Sequence, residues 1–159
     1  MSGNPLLALT PDRAQHYFLD IVPQSRALEM RLIEYGADRI VIDLPYHERL
    51  IGDPDSGVIH GGAITTLLDA ACGAAVMAAL RELRRIATLD LRIDYLRPAH
   101  VGRAVRCRAE CYRITHQVAF VRASAHDGDA DDVLATAAGT FAVFEQRVLL
   151  TADGLEILP

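Results

Sequence analysis

The chain has 159 residues, a formal net charge of -5 and 51% hydrophobic residues. That length fits one domain with a real core and is short for two, and the acidic balance lacks the basic excess of nucleic-acid binders, so no nucleic-acid partner is expected. All 16 basic residues are arginine, which excludes lysine Schiff-base chemistry and a lysine-type phosphate loop on residue identity alone.

The N-terminus, MSGNPLLALTPDRAQ, has no charged stretch followed by a long apolar run, so no signal peptide is read there. Thr10 can cap a helix with Pro11 at its first position and Asp12 in its first turn. This helix is expected to run to about Ile21, where Pro23 stops it, as a peripheral element of an N-terminal helical extension over 1–26. Residues 30–36 and 37–46 read as two strands of a hairpin joined at Gly36, and residues 47–57, which collect Gly, Pro, Asp and Ser without period, read as a loop.

The stretch Val58–Leu80, VIHGGAITTLLDAACGAAVMAAL, opens on His-Gly-Gly and is then apolar or small on every side except at Asp69. A helix that is apolar all round is a buried one, and an unpaired carboxylate in a core costs on the order of several kcal/mol. Asp69 is therefore either paired or facing a cavity where its charge is used. The run is long enough to span a membrane, but its alanine and glycine content and its central Asp argue against insertion, so no membrane partner is expected.

From Ile86 the pattern has period two, with Leu89, Leu91, Ile93 and Tyr95 on one face and Thr88, Asp90, Arg92 and Asp94 on the other, until Pro98 ends the strand. A strand over 101–113 sets Val105, Cys107, Ala109 and Cys111 against Arg106, Arg108, Glu110 and Tyr112. Two more follow over 116–126 and 133–145, separated by the turn 127–132, and residues 146–159 form either an extra strand or a frayed tail. The order predicts one α+β domain over 1–159, an antiparallel sheet of about six strands wrapped around one long central helix, with an N-terminal helix. Apolar residues on both strand faces point to oligomerisation.

Cys72, Cys107 and Cys111 make an odd number with no C-x-x-C pair, so neither a disulfide framework nor a zinc site is read, no metal is expected, and a cytoplasmic location fits best. Cys72 lies three residues after Asp69 without a cation or a helix N-terminus to lower its pKa, and reads as core packing.

His60-Gly61-Gly62 with Asp69 nine places after the His, followed by Thr88-Leu-Asp-Leu-Arg-Ile-Asp-Tyr95-Leu-Arg-Pro98-Ala and Gly102, resembles the hotdog-fold acyl-CoA thioesterases of the phenylacetate-degradation (PaaI-like) type, over roughly residues 28–145. The resemblance implies a hotdog fold assembled as dimers and commonly tetramers, and hydrolysis of a CoA thioester, with coenzyme A present only as part of the substrate and no separate cofactor. It implies Asp69 as general base or nucleophile and the Gly61 N–H as the group polarising the thioester carbonyl. Thr88 stands where the family often has a Ser or Thr that helps position the attacking water, and His60 would support the oxyanion site. The family commonly carries an asparagine about six residues before the His; here Pro54 stands there, flanked by Asp53 and Asp55, so either an Asp replaces it as a hydrogen-bond acceptor or that role is lost.

Physical chemistry supports the same assignment. Thioester hydrolysis needs donors aimed at a developing oxyanion and a base that activates water. A helix N-terminus supplies the donors, Gly61 and Gly62 let a substrate approach that backbone closely, and Asp69 supplies the base. Gly61 and Asp69 are eight residues apart, about 12 Å along one helix, so one carbonyl carbon within about 3.5 Å of both needs two subunits with antiparallel helices. Each functional residue also has a plain reading: Asp69 can bond a core hydroxyl, His60 can pack at the helix start, and Thr65 is either an ordinary helix residue or part of the acyl pocket. Thr88 opposes Leu89, Leu91 and Ile93 in parity and reaches the site only if that face meets a partner subunit. Arg97, Arg103, Arg106 and Arg108 flank the Pro98 turn and can hold CoA phosphates, or serve only to solvate strand faces. The rivals are a hotdog hydratase or dehydratase, which needs a differently placed His, and a protein that binds acyl-CoA or another acyl ligand without turnover.

Overall fold

Residues 4–152 and 154–158 are described by the computed structural model; residues 1–3, 153 and 159, which belong to the predicted N-terminal extension and C-terminal tail, lie outside the described residues. The N-terminal segment forms two short helices, α1 (Pro11–Gln15) and α2 (Pro23–Ala27), joined through a π-helical turn over His16–Asp20. The sequence reads as one helix stopped by Pro23, whereas Pro23 opens α2: at the first helical position a proline has no needed N–H to lose, and its fixed φ suits the place. The segment is not peripheral either. Leu6, Ala14, Tyr17 and Leu19 are buried, the Tyr17 hydroxyl donates to the Thr151 carbonyl, and the Gln15 side chain accepts from the Leu32 N–H at 2.7 Å while donating to the Met30 carbonyl at 3.0 Å.

The predicted hairpin forms, with β1 (Arg31–Tyr35) antiparallel to β2 (Ile40–Leu44). Residues 47–57 are more than a loop. After a turn of 3-10 helix over Glu48–Leu50, β3 (Ile51–Asp53) pairs antiparallel with β4 (Val58–Ile59), and only residues 54–57 make the tip. Gly52 makes this pairing fit beneath the next element, because a Cβ there would lie 2.7 Å from His60 Cα. The small hairpin thus fixes where the long helix begins.

That helix, α3 (Gly61–Ala79), follows directly. Ile64, Leu67, Leu68, Ala71, Cys72, Ala75 and Val76 are among its buried residues. It is long and apolar enough to cross a membrane by length and composition, and here it is the helix of the core, packed on β2 and on the strands introduced below. Its C-terminal carbonyls, which lack helical partners, are met by Asn4, whose Nδ2 lies 2.7, 2.9 and 2.7 Å from the carbonyl oxygens of Met77, Ala78 and Leu80.

Four long strands and a short one complete the chain: β5 (Arg84–Tyr95), β6 (Val105–Ile114), β7 (Val118–His126), β8 (Ala135–Leu150) and β9 (Leu155–Ile157). The sheet runs β1-β2-β6-β7-β8-β5 with every pairing antiparallel, and β9 adds to β8. The expected α+β arrangement of an antiparallel sheet around one helix is what the chain adopts. The stretch from residue 146 resolves as strand, continuing β8 to Leu150 and turning back as β9. Facing α3 are Val105, Cys107 and Ala109 of β6, Ala119, Val121, Ala123 and Ala125 of β7, and Ala135, Ala137, Phe141 and Val143 of β8, all buried. Their many small side chains let a helix lie close to the sheet.

One irregularity bears directly on the site. The β5–β8 register shifts between Thr88 and Asp90, so Leu89 bulges out and is 60% exposed. Strict period-two reading sets Thr88 opposite Leu91 and Ile93; the bulge reverses parity at that point and brings Thr88 onto their face, toward α3.

Candidate active site

Two clusters form along α3. The first is its N-terminus, where His60 is the capping residue and its Nδ1 accepts the Gly62 N–H at 2.8 Å. The Ala63 N–H donates to the His60 carbonyl at 2.9 Å. The Gly61 carbonyl accepts from the Tyr95 hydroxyl at 2.8 Å. The Thr65 hydroxyl lies 3.1 Å from that carbonyl oxygen and 2.7 Å from the Tyr95 oxygen, and its single hydrogen serves one of the two. Among the described residues the Gly61 N–H has no hydrogen-bond partner. Of the first N–H groups at this positive helix end, Gly62 and Ala63 are thus engaged locally and Gly61 is open to a ligand. Gly62, expected to offer its backbone to substrate, has its N–H turned to His60.

Beside this N-terminus lies a cavity of about 350 Å³ lined by Ile59, Gly61, Ile64, Tyr95, Leu96, Arg97, Pro98 and Ala99. Its side chains are apolar apart from the Tyr95 hydroxyl and the Arg97 guanidinium.

The second cluster is Asp69 with Thr88. Asp69 is half-buried, and its Oδ1 accepts the Thr88 hydroxyl hydrogen bond at 2.9 Å. Its other oxygen makes no hydrogen bond among the described residues. One oxygen held and one open is the geometry of an oriented base. Cys72, nearby on the helix, is no nucleophile: burial, reinforced by the Asp69 charge, pushes its thiol up to about 12. Burial likewise raises the Cys107 and Cys111 thiols, and all three cysteines are free.

The remaining predicted residues divide. Asp53 is engaged in its own turn, its carboxylate accepting from the Ser56 hydroxyl at 2.5 Å and the Asp55 N–H at 3.2 Å, and these bonds hold its carboxyl below the usual range. Asp55 is exposed on the same tip. Arg97, read as a phosphate ligand, has its guanidinium engaged within the fold. Its guanidinium donates to Asp127 at 2.8 and 3.3 Å, to Asp132 Oδ1 at 2.9 Å, and to the Pro98 and Asp132 carbonyls at 3.0 and 2.8 Å. Arg106 is paired through two bonds with Asp43, at 2.7 and 2.8 Å. Arg103 is exposed, and among the described residues its guanidinium makes one hydrogen bond, of 3.5 Å, to the Asp127 carbonyl. Among the described residues no three His, Cys, Asp or Glu side chains converge on a possible metal position.

Tyr95 and Asp127 were not legible as site neighbours. The available signal for Tyr95 was its parity with Leu91 and Ile93, which puts a polar-tipped ring on the inward face. Asp127 sits in a turn of four aspartates, and nothing local separates the buried one from the rest.

The family model of the thioesterase superfamily matches residues 56–134, which contain both clusters. The medium/long-chain acyl-CoA thioesterase YigI of Escherichia coli is 29% identical over 139 residues, covering 79% of this chain and 88% of that protein. A Pseudomonas aeruginosa protein of known crystal structure superposes with a TM-score of 0.75 at 39% identity, covering 87% of this chain and 98% of that one. Mouse thioesterase superfamily member 2 has the same fold at 19% identity, with a TM-score of 0.70 over 83% of this chain and 96% of that one. The chain belongs to the thioesterase superfamily and has the hotdog fold.

Proposed function

We propose that this protein hydrolyses an acyl-CoA thioester to the free acid and coenzyme A, as a PaaI-like member of its superfamily. The observation that supports this best is the pairing on α3 of one open N–H, at Gly61, with one carboxylate, at Asp69, whose outer oxygen is free. The Gly61 N–H binds the carbonyl oxygen and stabilises the charge that develops on it. Asp69 takes a proton from water as its oxygen adds to the carbonyl carbon; the carbon–sulfur bond then breaks and the thiolate leaves, taking up a proton. Thr88 holds Asp69 in position. The name of the Escherichia coli relative supports an acyl-CoA as the thioester.

Gly61 and Asp69 lie about 12 Å apart along one helix, so a single carbonyl meets both only when a second subunit lays its α3 antiparallel to the first. The sheet supports such a dimer: β5 is its terminal strand, and Leu89, Tyr95, Leu96 and Val101 on and after β5 are exposed. Arg103 remains the best placed arginine for CoA phosphates, and Thr65, whose hydroxyl lies 2.7 Å from that of Tyr95 in the cavity wall, contacts the acyl group. Free thiols suit a cytoplasmic location.

A second reading, binding of acyl-CoA without turnover, is favoured by one observation: Asp53, the candidate replacement for the family asparagine, already has its carboxylate engaged in its own turn. A panel of short, medium, long and aromatic acyl-CoAs, followed by free-thiol release, separates the two. Turnover is expected, and Asp69→Asn should lower it on the order of 100-fold or more with the oligomer intact. Turnover untouched by that substitution would sink the mechanism, and tight binding with no thiol release would establish the binding protein.

A further inference from the structure

The start of α3 contains two adjacent glycines, the residues with the widest choice of φ and ψ, at the place where the proposed oxyanion donor must point in one direction. An N–H on so permissive a backbone is aimed only if its neighbouring peptide groups are tied. Three ties are present. The His60–Gly61 peptide is held through the His60 carbonyl by the Ala63 N–H, at 2.9 Å. The Gly61–Gly62 peptide is held on its N–H side by His60 Nδ1 at 2.8 Å, and on its carbonyl side by the Tyr95 hydroxyl at 2.8 Å. The first two ties come from the same turn of chain and move with it. Tyr95 belongs to β5 and anchors the helix start to the sheet.

Resting on the hydrolase reading above, we propose that Tyr95 is a positioning residue for the reaction: its hydroxyl, braced by Thr65, holds the Gly61–Gly62 peptide so that the Gly61 N–H is aimed at the thioester carbonyl. Its hydroxyl oxygen and ring edge come within 3.5–3.7 Å of where a Gly61 Cβ would be, and it lines the cavity beside Gly61, so it stands at the acyl carbonyl's approach. The same strand serves both halves of the chemistry. Through the Leu89 bulge, β5 directs Thr88 to Asp69 and Tyr95 to Gly61 from one face, so in each subunit one strand orients the base of one shared site and the oxyanion donor of the other.

Tyr95→Phe removes the hydroxyl and keeps the ring, and the Thr65 hydroxyl, freed from Tyr95, lies 3.1 Å from the Gly61 carbonyl oxygen and can turn its hydrogen there, so the variant is expected to fold. A misaimed donor costs rate rather than affinity: kcat should fall on the order of tenfold while KM stays within about twofold. Inhibition by an S-alkyl-CoA thioether, which has the chain and nucleotide but no carbonyl, should likewise stay within about twofold. Unchanged kcat in Tyr95→Phe overturns the positioning role alone. So does a fall in kcat accompanied by weaker thioether inhibition, or by loss of the oligomer or of thermal stability, since that is general disturbance of the site. Absence of acyl-CoA turnover in the unsubstituted protein, by contrast, overturns the hydrolase reading, and the Tyr95 role with it.

Discussion

Asp127 is only 4% exposed, and its carboxylate takes bonds from the Arg97 guanidinium and from both the backbone N–H and the ring of His100. Burial by itself would raise its pKa; the bonds from Arg97 and His100, with the Arg97 charge, outweigh that and hold the carboxyl far below the ordinary range. Because the folded-state value is the lower one, the stabilisation is complete above the unfolded carboxylate value of about 3.9 and is lost as the pH falls below it toward the folded value. Asp127→Asn should therefore destabilise the chain by about 3 kcal/mol at pH 7, since it leaves a mostly buried Arg97 with one acidic partner fewer. The penalty should shrink as denaturation curves are taken to more acid pH; one that is equal at pH 7 and pH 2.5 would contradict the linkage. This network ties the end of β5, after Tyr95 and Leu96, to the turn that carries Asp127 and Asp132.

At the scale of elements, β5 and its bulge decide the site. Period-two counting assigns Thr88 to the wrong face because it has no means of detecting one extra residue, and the shift becomes visible only against β8. Gly139 lies just where the two strands close up: a Cβ there would stand 2.4 Å from the Asp90 carbonyl oxygen and 2.9 Å from Leu91 Cδ1. Gly139→Ala should push β5 from β8 and cost about 1–3 kcal/mol in thermal or chemical unfolding. It should also lower activity, because Thr88 moves with the bulge. A variant with wild-type stability would show that the strands slide apart freely here, and that the bulge is not what fixes Thr88.

At the scale of the whole molecule, the proposed mechanism makes a chain with Gly61 and Asp69 on one helix the holder of two half-sites. The proposed hydrolase is then active only as an oligomer, and light scattering after size exclusion should give a dimer or larger multiple of the 17.4 kDa chain. Specific activity should fall on dilution once the dimer dissociates. A monomer retaining full turnover would contradict the shared site and require a base other than Asp69 on the same chain.

The sequence by itself determined the long helix and the antiparallel α+β class, and it singled out the Gly61 and Asp69 positions on which the proposed chemistry rests, because these are local matters. Hydrophobic period names helices and strands, His-Gly-Gly names a helix start, and one carboxylate in an apolar run is conspicuous in any fold. Only the tertiary structure decided which of the polar residues are free. The Pro23 helix, the β3–β4 hairpin under His60, the Leu89 bulge, the engagement of Gly62 by His60, and the capture of Arg97 by Asp127 all depend on partners distant in sequence or on register. Hydrogen bonds are short-ranged in space and indifferent to separation along the chain, so the residue that completes the helix start, Tyr95, is 34 residues from the glycine it holds.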